Sequence, residues 1–233
     1  MRHVAIVLAA GKGSRMKFDI PKQFLEIDGK PVLYYSLRVM EDSFIDEVVL
    51  VTGTDQVAYC KTEIVERYGF SKVSKVVAGG AERYHSVYQG LLACEDADYV
   101  YIHDGARPFI SQQIMNNARA NVEQYQACAA GMPVKDTIKI VDASGFAVET
   151  PQRSLVWQVQ TPQVFSYKIV RQAYDKLLAM EEMPIVTDDT MVVETMTAIP
   201  VKLFDASYEN IKITTPEDLG VAEVFVKNLS KIF

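Results

Sequence analysis

The chain has no Cys-x-x-Cys pair, no basic excess and no apolar run of membrane-spanning length, and each absence removes a class of function. Its three cysteines, Cys60, Cys94 and Cys128, stand far apart, which leaves no sequence-local metal or redox pair and reads as buried thiols in a reducing compartment. Lys and Arg number 24 against 30 Asp and Glu, a net charge of -6, whereas a protein that tracks nucleic-acid phosphates carries a basic excess. No nucleic-acid partner is expected. The first apolar segment, Val4 to Leu8, is too short and too strand-like for a signal peptide, and no stretch reaches the roughly 20 residues of a membrane span. A soluble, cytoplasmic protein is expected, with no membrane partner. In an acidic chain any polyphosphate site must gather its Lys and Arg locally, so clustered basic residues are informative.

What is present is an alternation of apolar runs with helical patterns. Val4 to Ala9 reads as a strand buried on both faces. Pro31 opens a helix through Met40; strands follow at Val48–Val51, Lys75–Ala78 and Tyr99–Ile102, separated by helical patterns from Asp55 to Tyr68 and from Glu82 to Cys94. A helix from Gln112 to Tyr125 leads to a further apolar run, Ala127 to Val134. This order predicts an α/β fold, a mostly parallel sheet with helices on both faces, whose ligands bind beyond the carboxyl ends of the strands. Past Pro133 the pattern changes. Thr137–Val141 alternates, Asp142–Gly145 is a turn and Phe146–Val148 resumes, which predicts a half-exposed β-hairpin, an arm over about 135–155. Helical patterns return at Tyr167–Met180 and Asp188–Met196, a strand at Val201–Phe204, and a last helix at Thr215-Pro216-Glu217-Asp218. No repeat or linker interrupts the chain, so residues 1–233 are expected to form a single domain.

Three segments at strand ends carry chemistry. Ala9-Ala10-Gly11-Lys12-Gly13-Ser14-Arg15-Met16 follows the first strand, with Pro21-Lys22 behind it. A dinucleotide fingerprint fails because Met16 stands where the third glycine is required, and no Gly-Lys-Ser/Thr of a Walker loop occurs. What remains is a glycine turn whose backbone N–H groups can approach a triphosphate, with Arg15 and Lys22 as cations. Gly79-Gly80 with Arg83 and Ser86 is a second glycine corner, readable as a base contact or as a plain helix entry. His103-Asp104-Gly105-Ala106-Arg107-Pro108 closes the fourth strand. A carboxylate there, beside a triphosphate loop, is where Mg²⁺ is expected, and the alternative is an Asp–Arg surface pair. His103 points away from Asp104 along an alternating strand and reads as structural. Lys212 and Thr187-Asp188-Asp189 read by default as a solvated lysine and an N-cap.

These blocks, with Pro133-Val134-Lys135-Asp136-Thr137-Ile138-Lys139, Gln160-Thr161-Pro162-Gln163 and Asn210-Ile211-Lys212, occur in an order that resembles the sugar- and polyol-phosphate nucleotidyltransferases. Within that group the chain is similar, over nearly its whole length, to the 2-C-methyl-D-erythritol 4-phosphate cytidylyltransferase family of the non-mevalonate isoprenoid pathway. The resemblance implies a Rossmann-like, glycosyltransferase-A-like fold with a protruding arm, CTP as donor, a polyol phosphate as acceptor, Mg²⁺ as metal and diphosphate as leaving group. It implies that Arg15, Lys22 and Lys212 are catalytic, the first two at the α-phosphate and Lys212 between the substrates. Ala9, Ala10, Gly11, Gly13, Gly80, Ser86, Asp104 and Arg107 would contact the nucleotide, with Asp104 also holding the metal. It further implies a homodimer with exchanged arms, in which Thr137 and Arg153 reach the partner's site while Thr161 and Thr187 complete the acceptor pocket. Ala81 departs from the polar residue common at its position. Two other functions compete: ribitol 5-phosphate cytidylyl transfer, disfavoured by the Pro133–Lys139 block, and non-catalytic nucleotide binding.

Overall fold

Alternation along β1 (His3–Ala9) explains how the sheet is covered on both sides. Ala5, Val7 and Ala9 pack into one hydrophobic core with Leu33, Leu37 and Met115. Val4 and Ile6 face the opposite core with Val87, Leu91 and Tyr174. In a computed structural model, which describes residues 1–11, 20–94 and 96–229, the chain continues through a small ribbon, β2 (Glu26–Ile27) and β3 (Lys30–Pro31), into α1 (Val32–Glu41) and β4 (Glu47–Thr52). Next come α2 (Val57–Tyr59), prolonged as a π-helix over Cys60–Glu66, then β5 (Val73–Ala78), α3 (Arg83–Ala93), β6 (Tyr99–Asp104), α4 (Gln112–Tyr125) and β7 (Ala127–Pro133). The arm carries β8 (Ile140–Val141) and β9 (Ala147–Glu149), and the chain returns through β10 (Trp157–Ser166), α5 (Tyr167–Leu178), α6 (Asp189–Thr197), β11 (Lys202–Asp205) and α7 (Pro216–Leu229).

The seven-stranded sheet has the order β11-β7-β10-β6-β1-β4-β5. Its β1–β4, β1–β6, β4–β5 and β11–β7 pairs are parallel, and β10 runs antiparallel to both β6 and β7. The expected mostly parallel sheet is therefore present, with one long strand that the sequence reading omits. The omission has a physical cause. β10 contains Pro162, which normally argues against a central strand, and it places Gln160, Thr161 and Gln163 in the interior at 7%, 3% and 2% exposure. Neither an apolar run nor clean alternation marks such a strand. A register shift in the ladder between Val159 and Gln163 accommodates the proline.

The arm leaves the sheet after β7 and re-enters it at β10. Its paired strands are shorter than Thr137–Val141 and Phe146–Val148 suggest, and its turn is held by the Asp142 carboxylate, which accepts from the N–H groups of Ser144 and Phe146 at 2.9 and 3.0 Å. Gly145, at φ +87°, occupies the left-handed region that glycine enters without strain. Among the described residues no helix is long and apolar enough to cross a membrane.

Candidate active site

Four parallel strands end on the same side of the sheet, and each end contributes to one cleft of about 1100 Å³. β1 delivers Ala9, Ala10 and Gly11, β4 leads to Gly53, β5 to Gly79 and Gly80, and β6 ends at Asp104. Lys22, Ser86 and Lys212 complete the expected residues that the cleft brings together. Gly13 and Arg15 lie outside the described residues. Ala81, the departure from the family pattern, also lines the cleft. Gln23, which sequence reasoning did not assign, is buried beside Lys22, and its amide donates to the Ala9 carbonyl at 2.6 Å. That bond ties the Pro21-Lys22 segment to the end of β1.

The second glycine corner is a close backbone approach. A Cβ on Gly79 would stand 2.6 Å from Ser86 Oγ and 2.9 Å from Ala10 Cβ, so only glycine lets these walls meet. Ser86 Oγ accepts from the Gly80 N–H at 3.1 Å. The Ser86 hydroxyl, expected at the nucleotide, thus lines the cleft and also fixes the backbone of the corner.

Asp104 is the electrostatic centre. Lys212 Nζ lies 2.7 Å from its Oδ2, Arg83 Nε 3.5 Å from its Oδ1, and Arg107 Nε 3.9 Å from Oδ2. Burial pushes the Asp104 carboxyl up, but the charges of Arg83, Lys212 and Arg107 outweigh it and hold the group well below the usual carboxylate range. The carboxylate is ionised at any working pH. Lys212, read by default as solvated, is instead an anchored cation at the cleft wall. Its loop is pinned where the Ile213 N–H donates to the Ala106 carbonyl at 2.8 Å, and it is held again by Asn210, fully buried, whose amide donates to Gln160 Oε1 and the Thr161 carbonyl.

Beneath Asp104 runs a short chain of hydrogen bonds. The Asp104 N–H donates to Thr161 Oγ1 at 3.1 Å, Thr161 Oγ1 lies 3.0 Å from His103 Nδ1, and His103 Nε2 lies 3.2 Å from the Arg107 carbonyl. A carbonyl only accepts, so Nε2 carries the imidazole proton and Nδ1 accepts from the Thr161 hydroxyl. Burial lowers the His103 pKa to about 4, consistent with a neutral ring. His103 is structural, as its strand position implies. Thr161 and Arg107 lie behind the carboxylate rather than on the cleft wall, and the Arg107 guanidinium donates to the Asn210 carbonyl at 2.8 Å.

Thr187 opens on a small neighbouring pocket that Arg83, Tyr174 and Asp188 also line. Asp188 caps α6, accepting from the Met191 N–H at 2.9 Å, which matches the N-cap reading of this segment. Thr137 and Arg153 are exposed on the arm and are not among the residues lining the cleft. The Arg153 guanidinium donates to the Lys135 carbonyl at 3.2 Å. In the sequence Arg83 stands out only as part of the glycine corner, and its partner Asp189, 106 positions away, carries no local signal.

A cleft lined by glycine-rich backbone and Lys22, with Lys212, Arg83 and Arg107 around one carboxylate, suits a polyphosphate and a reaction that concentrates negative charge. Among the described residues no three His, Cys, Asp or Glu side chains gather as a metal site. Asp104 is a single carboxylate. It fits a magnesium ion that takes one protein oxygen and draws its other ligands from phosphates and water.

Comparison with known proteins agrees with this geometry. The family model IspD, 2-C-methyl-D-erythritol 4-phosphate cytidylyltransferase, matches residues 3–228. A 2-C-methyl-D-erythritol 4-phosphate cytidylyltransferase of Lachnospira eligens is 48% identical over 226 residues, 97% of this chain and 99% of its own. Among solved structures, the 4-diphosphocytidyl-2C-methyl-D-erythritol synthase of Anaerococcus prevotii superposes with a TM-score of 0.85 at 33% identity, covering 97% of this chain and 96% of that one. The 2-C-methyl-D-erythritol 4-phosphate cytidylyltransferase of Thermus thermophilus gives 0.76 at 26%, covering 95% and 98%.

Proposed function

The chain belongs to the 2-C-methyl-D-erythritol 4-phosphate cytidylyltransferase family, and from that premise we propose that its cleft joins CTP to 2-C-methyl-D-erythritol 4-phosphate. A phosphate oxygen of the acceptor attacks the α-phosphorus in line, and the bond from that phosphorus to the bridging oxygen breaks. Diphosphate leaves, and 4-diphosphocytidyl-2-C-methyl-D-erythritol is formed. The observation that carries this reading is the cation cluster around Asp104 at the mouth of a glycine-lined cleft.

A phosphate monoester is largely ionised near neutral pH, its second pKa being about 6, so the nucleophile needs no strong base. His103, buried and neutral, is not required for proton transfer. The need is charge neutralisation where two anions meet and the transition state gathers further negative charge. Lys22, Lys212 and Arg15 fill that role, with the backbone of Ala9 to Gly13 and Gly80 holding the nucleotide. Magnesium, when bound through Asp104 and the triphosphate, supplies further neutralisation on the leaving diphosphate.

The arm completes the acceptor site of a second copy. Ile140, Val141, Phe146, Val148 and Leu155 are 46%, 53%, 73%, 63% and 76% exposed, more apolar surface than a short hairpin leaves to water without a partner. A two-fold contact between copies buries both arms equally and brings Thr137 and Arg153 to the partner's cleft. Thr187 lines the acceptor side of the same chain, and Thr161 positions Asp104. The test is diphosphate release with each of the four ribonucleoside triphosphates, with and without Mg²⁺, against methylerythritol 4-phosphate and ribitol 5-phosphate. The reading requires CTP, Mg²⁺ and the methylerythritol acceptor. Tight CTP binding with no diphosphate from either acceptor identifies a regulator instead.

A further inference from the structure

Asp189 is a fully buried carboxylate that the transfer reaction does not use directly. It stands at the first residue of α6, where its N–H is held at 2.9 Å by Gln163 Oε1 from β10. Its two oxygens receive the Arg83 fork at 2.8 and 2.7 Å, and the Tyr174 hydroxyl donates to the same carboxylate. The carboxylate is thus saturated and immobile, and it commits both terminal nitrogens of Arg83. Only the Nε side of Arg83 faces Asp104, at 3.5 Å from Oδ1.

Asp104 has two oxygens and three cations around it. A guanidinium that approaches a carboxylate fork-on occupies both oxygens, and Arg83 is close enough to do so if released. Lys212, now 2.7 Å from Oδ2, would then lose its anchor. We propose that Asp189 is a positioning residue for cytidylyl transfer: by holding Arg83 in a fork it keeps Asp104 Oδ2 for Lys212 and so fixes where the Lys212 ammonium stands. This inference rests on the proposed role of Lys212 between the two substrates. It also gives the Gln160–Gln163 segment of β10 a purpose. Gln163 sets Asp189, Thr161 sets Asp104, and Gln160 sets the Asn210 loop that leads to Lys212.

The test is a double-mutant cycle read as kcat and KM, with thermal melts alongside. Asp189→Asn keeps the shape and removes the charge, so Arg83 turns to Asp104 and kcat falls by at least about tenfold, the scale of an ångström-level misplacement, while KM for CTP moves little. Arg83→Gln alone sets the baseline, and because Asp189 acts only through Arg83, adding Asp189→Asn to it costs no further kcat beyond about twofold. Tyr174→Phe leaves carboxylate and fork in place and lowers the melting temperature more than it lowers kcat. A folded double variant slower than Arg83→Gln by the factor that Asp189→Asn costs alone overturns the proposal, as does a Tyr174→Phe enzyme as slow as Asp189→Asn, because either result marks the network as packing alone. If Asp189→Asn does not fold, the double variant is still compared with Arg83→Gln, and a folded double variant at least about tenfold slower again overturns it. A wild-type protein that releases no diphosphate overturns the proposed function instead, so the two failures are separable.

Discussion

Replacing His103 by Gln tests the hydrogen-bond chain under the Asp104 carboxylate, because the ring's neutrality has a calculable effect on stability. In the unfolded chain a histidine titrates near its ordinary 6.5, and in the fold burial lowers His103 to about 4. Below 6.5 the unfolded state therefore takes up a proton that the native state refuses. The stability that this group contributes is complete above pH 6.5 and drains away as pH falls towards 4. At 1.36 kcal/mol per unit the full loss is about 3 kcal/mol, and about 2 kcal/mol of it has gone by pH 5. Burial is the cause of the resistance. Protonating Nδ1 would also make the Thr161 hydroxyl give up donating to the ring while its oxygen still accepts the Asp104 N–H. The assay is urea unfolding of wild type and His103→Gln at pH 7.5 and pH 5, comparing the change between the two pH values. Carboxylates that lose their charge in this range affect both proteins alike. Wild type should lose about 2 kcal/mol more than the variant. Equal losses would show that the ring is already charged in the native state, and the assigned tautomer and the chain through Thr161 would be wrong.

Lys22→Ala should lower kcat by about two to three orders of magnitude, roughly 3–4 kcal/mol, as removal of a pre-placed charge stabiliser does; near-normal kcat with only a raised KM would reassign it to binding. Arg153→Ala should raise KM for the acceptor while leaving that for CTP unchanged. Mixed one to one with Lys22→Ala and assayed with acceptor far below its raised KM, where neither variant alone is active, it should recover about a quarter of wild-type activity, since half the dimers are mixed and each holds one intact site of two; no recovery under subunit exchange argues against shared sites. Gly79→Ala should raise KM for CTP and cost about 1–3 kcal/mol of stability, because the new methyl meets Ser86 Oγ at 2.6 Å and Ala10 Cβ at 2.9 Å; unchanged CTP kinetics would mean that this wall does not shape the nucleotide pocket.

Much of the cleft was legible in the sequence because strand ends in a parallel sheet advertise themselves. The apolar run of β1 stops at Gly11, that of β5 at Gly79-Gly80, and that of β6 at Asp104, and the same topology that ends each strand brings those residues to one face. His103 was readable from alternation alone. What could not be read is carried by polar groups that are satisfied only in three dimensions. β10 hides Gln160, Thr161 and Gln163 in the interior and contains a proline, so it matches neither strand signature. Asp189 looked like part of an N-cap because its neighbour Asp188 is one, and its partner Arg83 lies on another helix. The position of Lys212 depends on a loop pinned by Asn210 and Ala106, which no spacing along the chain encodes.

The most direct measurement of the central claim is the ³¹P NMR spectrum of the product formed from CTP and 2-C-methyl-D-erythritol 4-phosphate with Mg²⁺. Cytidylyl transfer predicts free diphosphate together with two mutually coupled resonances of an unsymmetrical diphosphate diester, and no such product from ribitol 5-phosphate. An unchanged acceptor phosphate resonance, or a coupled pair that forms only with ribitol 5-phosphate, would contradict it.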